Sequence, residues 1–288
     1  MCEAIAGRNG AGGADAFALT DELLALHRRL DWEFDGWCEG REARRLEASA
    51  LISAAILERV GYFAAFPNLV VFPAALDRDA GELARFAAGP RFDGDGALRP
   101  IALRPMQTAL SPAACYQAYP LYAGRTLASP HLVNVRGVCF RCEAEYLPLR
   151  RQSSFTMREL VCIGSDADVC RFLDRGRDWL ETFARSLGLA VSWRDASDPF
   201  FAAERSGRAL MQRLKSLKQE LVLPDGLALA SANRHESFFG KAFQIAADGS
   251  PAHSGCIAAG VERWIYAVLS THGPEPRGWP AQEPTFHA

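Results

Sequence analysis

The sequence has no basic excess: 32 lysines and arginines stand against 34 aspartates and glutamates, a formal net charge of −2. A protein built to grip a nucleic-acid backbone neutralises phosphates with a clear basic surplus, so tRNA or any other nucleic acid is not the expected partner. Long apolar runs are missing as well. The most hydrophobic stretch, Tyr62 to Leu76, is interrupted by Pro67 and Pro73 and is too short to span a bilayer. The opening Met1-Cys2-Glu3-Ala4 lacks the basic-then-apolar order of a secretory leader. The expectation is therefore a cytoplasmic protein with no membrane partner. In that compartment the eight cysteines are expected as reduced thiols, serving as small buried hydrophobes or as ligands. No second CxxC and no Cys/His pair at finger spacing accompanies Cys139-Phe140-Arg141-Cys142, so a four-ligand structural zinc site is not supported. Internal repeats and low-complexity tracts are also absent.

The chain of 288 residues is 49% hydrophobic and 23% charged, which is ordinary for a globular protein with a substantial core. Residues 1–18, rich in Gly and Ala, read as a flexible tail. Residues 273–288, with four prolines, read as an irregular one. Between them, 19–272 reads as a single domain. Leu23, Leu26, Leu30 and Phe34 recur at helical spacing behind Thr20 or Asp21. The Ala, Leu and Glu content of 41–59 predicts a second helix, stopped by Gly61. A short buried strand is expected at 68–73 and extended segments at 131–143, 155–164 and 189–194, with a helix over 167–187. A basic helical segment over 202–219 carries Arg205, Arg208, Arg213, Lys215 and Lys218. Strands near 219–232 and 239–247 and a helix from Gly260 to Ser270 close the domain. The strands are not separated by regular crossover helices, so the fold class is α+β: a mostly antiparallel sheet flanked by helices.

Two segments carry phosphate chemistry. Phe140-Arg141-Cys142-Glu143 is followed by the basic loop 149–154 and by Phe155-Thr156-Met157-Arg158-Glu159-Leu160. Two strands joined by such a loop can cup a nucleotide. An arginine there can bind phosphate through two hydrogen bonds, and the carboxylate two residues on shares its strand face. The second segment runs from Ser254 through Gly260 to Arg263 as a small-residue turn feeding an apolar helix, a sensible place to hold a phosphate.

These segments resemble motifs 2 and 3 of the class II aminoacyl-tRNA synthetases, with Ala258 in place of the usual first glycine of motif 3. The stretch ending at Arg59 and continuing as Val60-Gly61-Tyr62-Phe63-Ala64-Ala65-Phe66-Pro67 resembles motif 1, a glycine turn and short strand closed by proline. The resemblance implies a class II catalytic core, with ATP as substrate and a homodimer built through residues 45–67. It implies that Arg141 contacts the α-phosphate, Glu143 the adenine amino group and Arg263 the γ-phosphate, while Phe155 stacks on the base. Glu220 is then a carboxylate on the Mg2+ side. Asn233 and His235, alternating along Ser231-Ala232-Asn233-Arg234-His235-Glu236, resemble the family's substrate-binding strand, although His235 is equally well read as a satisfied core residue.

Cys115, Glu159 and Cys256 are dispersed, and each cysteine alone reads as a small buried hydrophobe. Together they resemble the zinc ligands of the atypical, methanogen-type seryl-tRNA synthetases and of their small bacterial relatives, the amino acid:[carrier protein] ligases. Three protein ligands leave Zn2+ one open position, which a substrate amino group can take. If the motif 2 reading holds, Cys139 and Cys142 point to opposite faces of a strand and share no metal. Short flanks around the motifs and the slightly acidic balance turn the expected acceptor from tRNA to the phosphopantetheine thiol of an acyl carrier protein. Carrier proteins are typically acidic, and Arg205 and Arg208 on the basic segment are the expected docking residues. The resemblance thus implies a carrier-protein ligase that would activate a small amino acid, glycine or alanine, to the aminoacyl-adenylate. Two other readings stand beside it: a stand-alone synthetase-like protein that aminoacylates tRNA, and a non-catalytic paralogue that only binds ligand.

Overall fold

A computed structural model describes residues 18–37, 43–92, 94, 98, 102–201 and 215–280. Its centre is a seven-stranded sheet of β1 (Ala43–Glu47), β2 (His131–Phe140), β3 (Ser154–Gly164), β4 (Ser192–Asp195), β5 (Lys218–Val222), β6 (Ala228–Glu236) and β7 (His253–Gly260). The spatial order is β1-β2-β3-β7-β6-β5-β4. Only the edge pair β1–β2 is parallel; the other five pairings are antiparallel. Among the described residues seven helices accompany it: α1 (Asp21–Gly36), α2 (Ala54–Arg59), α3 (Tyr62–Ala65), α4 (Ala80–Ala88), α5 (Asp166–Ser186), α6 (Phe238–Phe243) and α7 (Val261–His272).

The two faces of the sheet have different jobs. One is covered by α1, α5 and α7, whose Leu26, Leu30, Phe34, Phe172, Phe183, Trp264 and Ile265 meet Leu160, Ala232, Ile257 and Ala259 of the strands. Because strand side chains alternate, the neighbouring residues Val161, Cys256 and Ala258 face the other side, together with Val133 and Val135, beneath Tyr119, Phe239 and Phe243. Helix α5 starts with a capping box between Ser165 and Asp168. It lies so close to β7 that a Cβ on Gly176 would come 2.5 Å from Ile257, and one on Gly255 would come 2.8 Å from Val169.

Several local expectations are corrected. The predicted helix over 41–59 is instead β1, a short strand at Leu51–Ser53 and only six residues of helix, α2. Helix propensity yields here to tertiary pairing. β1 finds a parallel partner in β2, and Arg136 on β2 binds Asp31 of α1 and Glu47 of β1 at 2.8 Å each. After Gly61, the expected motif 1 strand is the helical turn α3, and 68–73 holds no strand but the tail of a 3-10 turn, Pro67–Leu69. The strand expected over 219–232 breaks into β5 and β6 at Pro224-Asp225-Gly226, where the Asp225 side chain accepts from the Leu227 N–H. Residues 238–243 are helical rather than extended. Gly240 presses against the Ala252 backbone, where a Cβ would lie 2.1 Å from its carbonyl oxygen. Most consequential, 253–260 is no turn but the strand β7, hydrogen-bonded to β3 and β6 on its two sides. The basic segment 202–219 lies outside the described residues up to 214, and Lys218 and Gln219 at its end are extended, in β5. The first tail lies outside them but for residue 18. The second is described to residue 280, where Pro276–Gly278 form a 3-10 turn and Trp279 packs on the helix-covered core. Among the described residues no helix is long and apolar enough to cross a membrane.

Candidate functional site

The open face of the sheet carries two adjoining polar centres. The first is buried. Cys115 sits in a 3-10 turn (Ala114–Gln117) that lies over the sheet, Glu159 in the middle of β3 and Cys256 in the middle of β7. Their ligand atoms all lie within 4.8 Å of one another, and all three residues are buried. Backbone N–H groups of Ala114 and Cys115 donate to the two Glu159 carboxylate oxygens at 2.8 and 3.2 Å, and the Cys256 thiol lies 3.4 Å from Oε2. The carboxylate is thus aimed by backbone groups. Contact between the two thiols, burial and the nearby Glu159 charge push the Cys115 thiol well up; burial above all pushes Cys256 up to about 11. Two thiols and a carboxylate this close suit a divalent cation, which relieves their repulsion. Zinc–sulfur bonds of about 2.3 Å and zinc–oxygen bonds of about 2.1 Å put tetrahedral ligand atoms about 3.5 Å apart, the separation seen between Cys256 and Glu159.

Around this cradle stand polar groups of the same sheet face. Asn233 is the register partner of Cys256 and donates to Ser231 Oγ at 2.9 Å. His235 Nδ1 lies 3.2 Å from both Tyr119 Oη and Ser254 Oγ. Burial pulls the His235 imidazole down to about 4, so the ring is neutral near pH 7. Cys139 is buried at the end of β2 and Cys142 exposed beyond it, and neither belongs to the cluster.

The second centre is an open cleft of about 670 Å³. Arg141, Glu143, Phe155, Arg263 and Glu220 all line it, so five scattered expectations converge on one place. Ala258 joins the two centres. It lines the cleft, pairs in register with Glu159 and lies two residues along β7 from Cys256, about 7 Å at strand rise.

Local geometry refines each residue. Arg141 and Glu143 lie just past the end of β2, not on the strand as the alternation argument supposed. The Arg141 guanidinium covers Phe155 at 5.1 Å and its Nε approaches the Pro112 carbonyl at 3.4 Å. Arg263, in the first turn of α7, donates from Nε to the Arg150 carbonyl at 2.8 Å and from Nη1 to the Ala228 carbonyl at 2.9 Å. It therefore fastens the 149–154 loop to β6. Burial, and then the charge of Arg141, lower its pKa, so two cations crowd this part of the cleft. Glu220 is ion-paired to Lys218 at 3.0 Å, and Lys218 also holds Asp198 at 2.8 Å. Lys218 was missed as a cleft residue, although its two-residue spacing from Glu220 on one strand was the available signal. Glu262 was missed too, and for it the only signal was its place beside Arg263. Arg205 and Arg208 lie outside the described residues.

No protein-family model matches the chain. Among curated proteins it is similar to amino acid–[acyl-carrier-protein] ligases 1 and 2 of Bradyrhizobium diazoefficiens. Each is 39% identical, over 251 and 238 residues, covering 84% and 80% of this chain and 75% and 70% of those proteins. Among solved structures it is similar to the Methanopyrus kandleri seryl-tRNA synthetase, determined with the Aquifex aeolicus tRNASec. The TM-score is 0.80 at 21% identity, over 95% of this chain and 56% of the synthetase. At that identity the match speaks to fold, and the chain spans a little over half of that structure's length.

Proposed function

The chain belongs to the amino acid–[acyl-carrier-protein] ligase family and is a ligase on a class II synthetase fold, and from that premise we propose the following reaction. A small amino acid, glycine or alanine, is activated with ATP to the aminoacyl-adenylate and passed to the phosphopantetheine thiol of an acyl carrier protein. The observation that carries this reading is the pairing of a Cys115–Glu159–Cys256 cradle with an arginine-lined cleft one step away on β7.

In the first step a carboxylate oxygen of the amino acid attacks the α-phosphorus, the bond to the β-phosphate oxygen breaks, and pyrophosphate leaves. Such a step depends on positioning and charge stabilisation rather than on proton transfer. Arg141 meets the α-phosphate, Arg263 the γ-phosphate, Glu143 the adenine amino group and Phe155 the ring. Binding replaces the contacts these arginines now make with an aromatic ring and backbone carbonyls. Glu220 stands on the magnesium side, steadied by Lys218. Cys115, Glu159 and Cys256 would hold Zn2+, whose open position supplies a Lewis-acid seat for the substrate α-amino group. Asn233 and His235 flank that seat, and neutral His235 holds Tyr119 and Ser254 in place. In the second step the carrier thiol attacks the adenylate carbonyl, its proton is lost, and AMP departs.

The chain works in the cytoplasm as a homodimer through residues 45–67, and the carrier docks on Arg205 and Arg208. ATP–pyrophosphate exchange across a panel of amino acids, followed by transfer to holo-carrier protein, apo-carrier protein and tRNA, tests the proposal. Exchange with one or two small amino acids and transfer to the holo-carrier alone is the expected result. Exchange with none would remove the enzymatic reading.

A further inference from the structure

Where β7 ends, the sheet leaves a loose end beside the cleft. The last register pair of β7 with β3 is Gly260 with Met157, and the chain then turns into α7. The next N–H toward the loop, that of Thr156, has therefore lost the strand that would have accepted it. An unpaired buried N–H is costly. Glu262, in the first turn of α7, replaces the strand: both its carboxylate oxygens accept from the Thr156 N–H at 2.9 Å. This bond ties the residue after Phe155 to the residue before Arg263.

A third group closes the tie from the opposite layer. His27 of α1 reaches the edge of the sheet from the helix-covered face, with Nε2 3.1 Å from Thr156 Oγ1 and 3.5 Å from Glu262 Oε1. His27, Thr156 and Glu262 are all buried. With its proton on Nε2 the imidazole donates into the angle between the hydroxyl and the carboxylate, so neither can swing away alone. A buried polar network of this kind fixes geometry when every member is satisfied.

We propose that His27 is a positioning residue for ATP: it locks the Thr156–Glu262 tie and so sets Phe155 and Arg263 at the spacing that the nucleotide needs. The inference rests on reading the cleft as the ATP site. A packing residue would act through volume, whereas this role depends on an N–H at one point. Leucine keeps the volume and loses the donor; glutamine puts an amide N–H near the Nε2 position.

Calorimetric titration with Mg·ATP, which needs neither the amino acid nor the metal cradle, separates these cases. His27→Leu should weaken ATP binding about tenfold, the scale of one buried hydrogen bond to a charged group. Its melting temperature should fall by no more than about 10 °C, the cost of the same bond to folding, leaving the protein folded at the titration temperature. His27→Gln should restore most of the affinity, and Thr156→Val, which removes the hydroxyl from the other side, should reproduce the leucine loss. ATP affinity within about twofold of wild type in His27→Leu and Thr156→Val, or a glutamine variant no better than the leucine one, would overturn the inference. Failure of the wild-type protein to bind ATP would instead overturn the reading of the cleft.

Discussion

The cradle and the cleft share one sheet face yet are held together in opposite ways. In the cradle the ligand atoms point at one another, and Glu159 is oriented by two backbone N–H groups. In the cleft the charged groups are occupied with stand-ins: Arg141 with the Phe155 ring, Arg263 with two backbone carbonyls, Glu220 with Lys218. On the proposed reading the cradle takes one small ion and one substrate group, so it should tolerate little change. On the same reading the cleft takes a large, flexible polyanion, whose own charge would replace these contacts. If that reading holds, preorganisation is greatest where amino acids are selected, and the adaptable contacts lie where the adenine nucleotide fits.

Breaking the cradle should give the largest effect. Cys256→Ser should lower amino-acid-dependent pyrophosphate exchange at least about a thousandfold, the scale of losing a preorganised electrostatic centre. Its ATP affinity should stay within about threefold of wild type, because cleft and cradle share no side chain. Loss of both together would erase the distinction. Next comes Arg141→Ala, expected to lower exchange about a hundredfold while the protein keeps its bound metal, as measured by elemental analysis.

The two centres also differ in how much of them could be read from the sequence. Of the cleft residues, Arg141, Glu143, Phe155 and Arg263 fall in two short stretches, 141–155 and 258–263, where local spacing exposed them, while Glu220 and Lys218 stand apart on β5. The cradle residues are far apart, and only the order β2-β3-β7, with a 3-10 turn laid over it, makes them neighbours. Resemblance to a known ligand set found them; spacing could not. Strand β7 was misread for a physical reason: Ser254-Gly255-Cys256-Ile257-Ala258-Ala259-Gly260 is a run of small residues because α5 presses on one side and the site needs room on the other. Small side chains look like a turn when the packing that demands them is out of view. The stretch Ala43-Arg44-Arg45-Leu46-Glu47, all helix-compatible residues, was misread as helix because the parallel partner β2 lies some ninety residues on. His27 carried no signal at all, since its partners are a hydroxyl and a carboxylate from two other elements.

Acid should act on the cradle's surroundings through His235. Burial holds His235 near 4 against an ordinary value of 6.5, so the unfolded chain takes up a proton that the folded one refuses. Stability is therefore full above about pH 6.5 and falls as the pH drops toward 4, by up to about 3 kcal/mol from this residue. Melting temperatures from pH 7.5 to 4.5 check this: His235→Gln should show a shallower decline than wild type, and equal slopes would assign the acid sensitivity elsewhere. The smallest change is expected at the exposed rim of the cleft. Arg151 stands 3.9 Å from Glu143 and is about half exposed, so Arg151→Ala should shift the KM for ATP by no more than about threefold. A loss as large as that of Arg141→Ala would make the rim as demanding as the floor.

The division of labour between the two centres is tested most directly on one protein preparation, stripped of metal by a chelator and then resupplied with zinc. Amino-acid-dependent pyrophosphate exchange and ATP binding are measured at each stage. The account predicts that stripping abolishes exchange, leaves ATP binding intact, and that one equivalent of zinc per chain restores exchange. Full exchange in the stripped protein would contradict it.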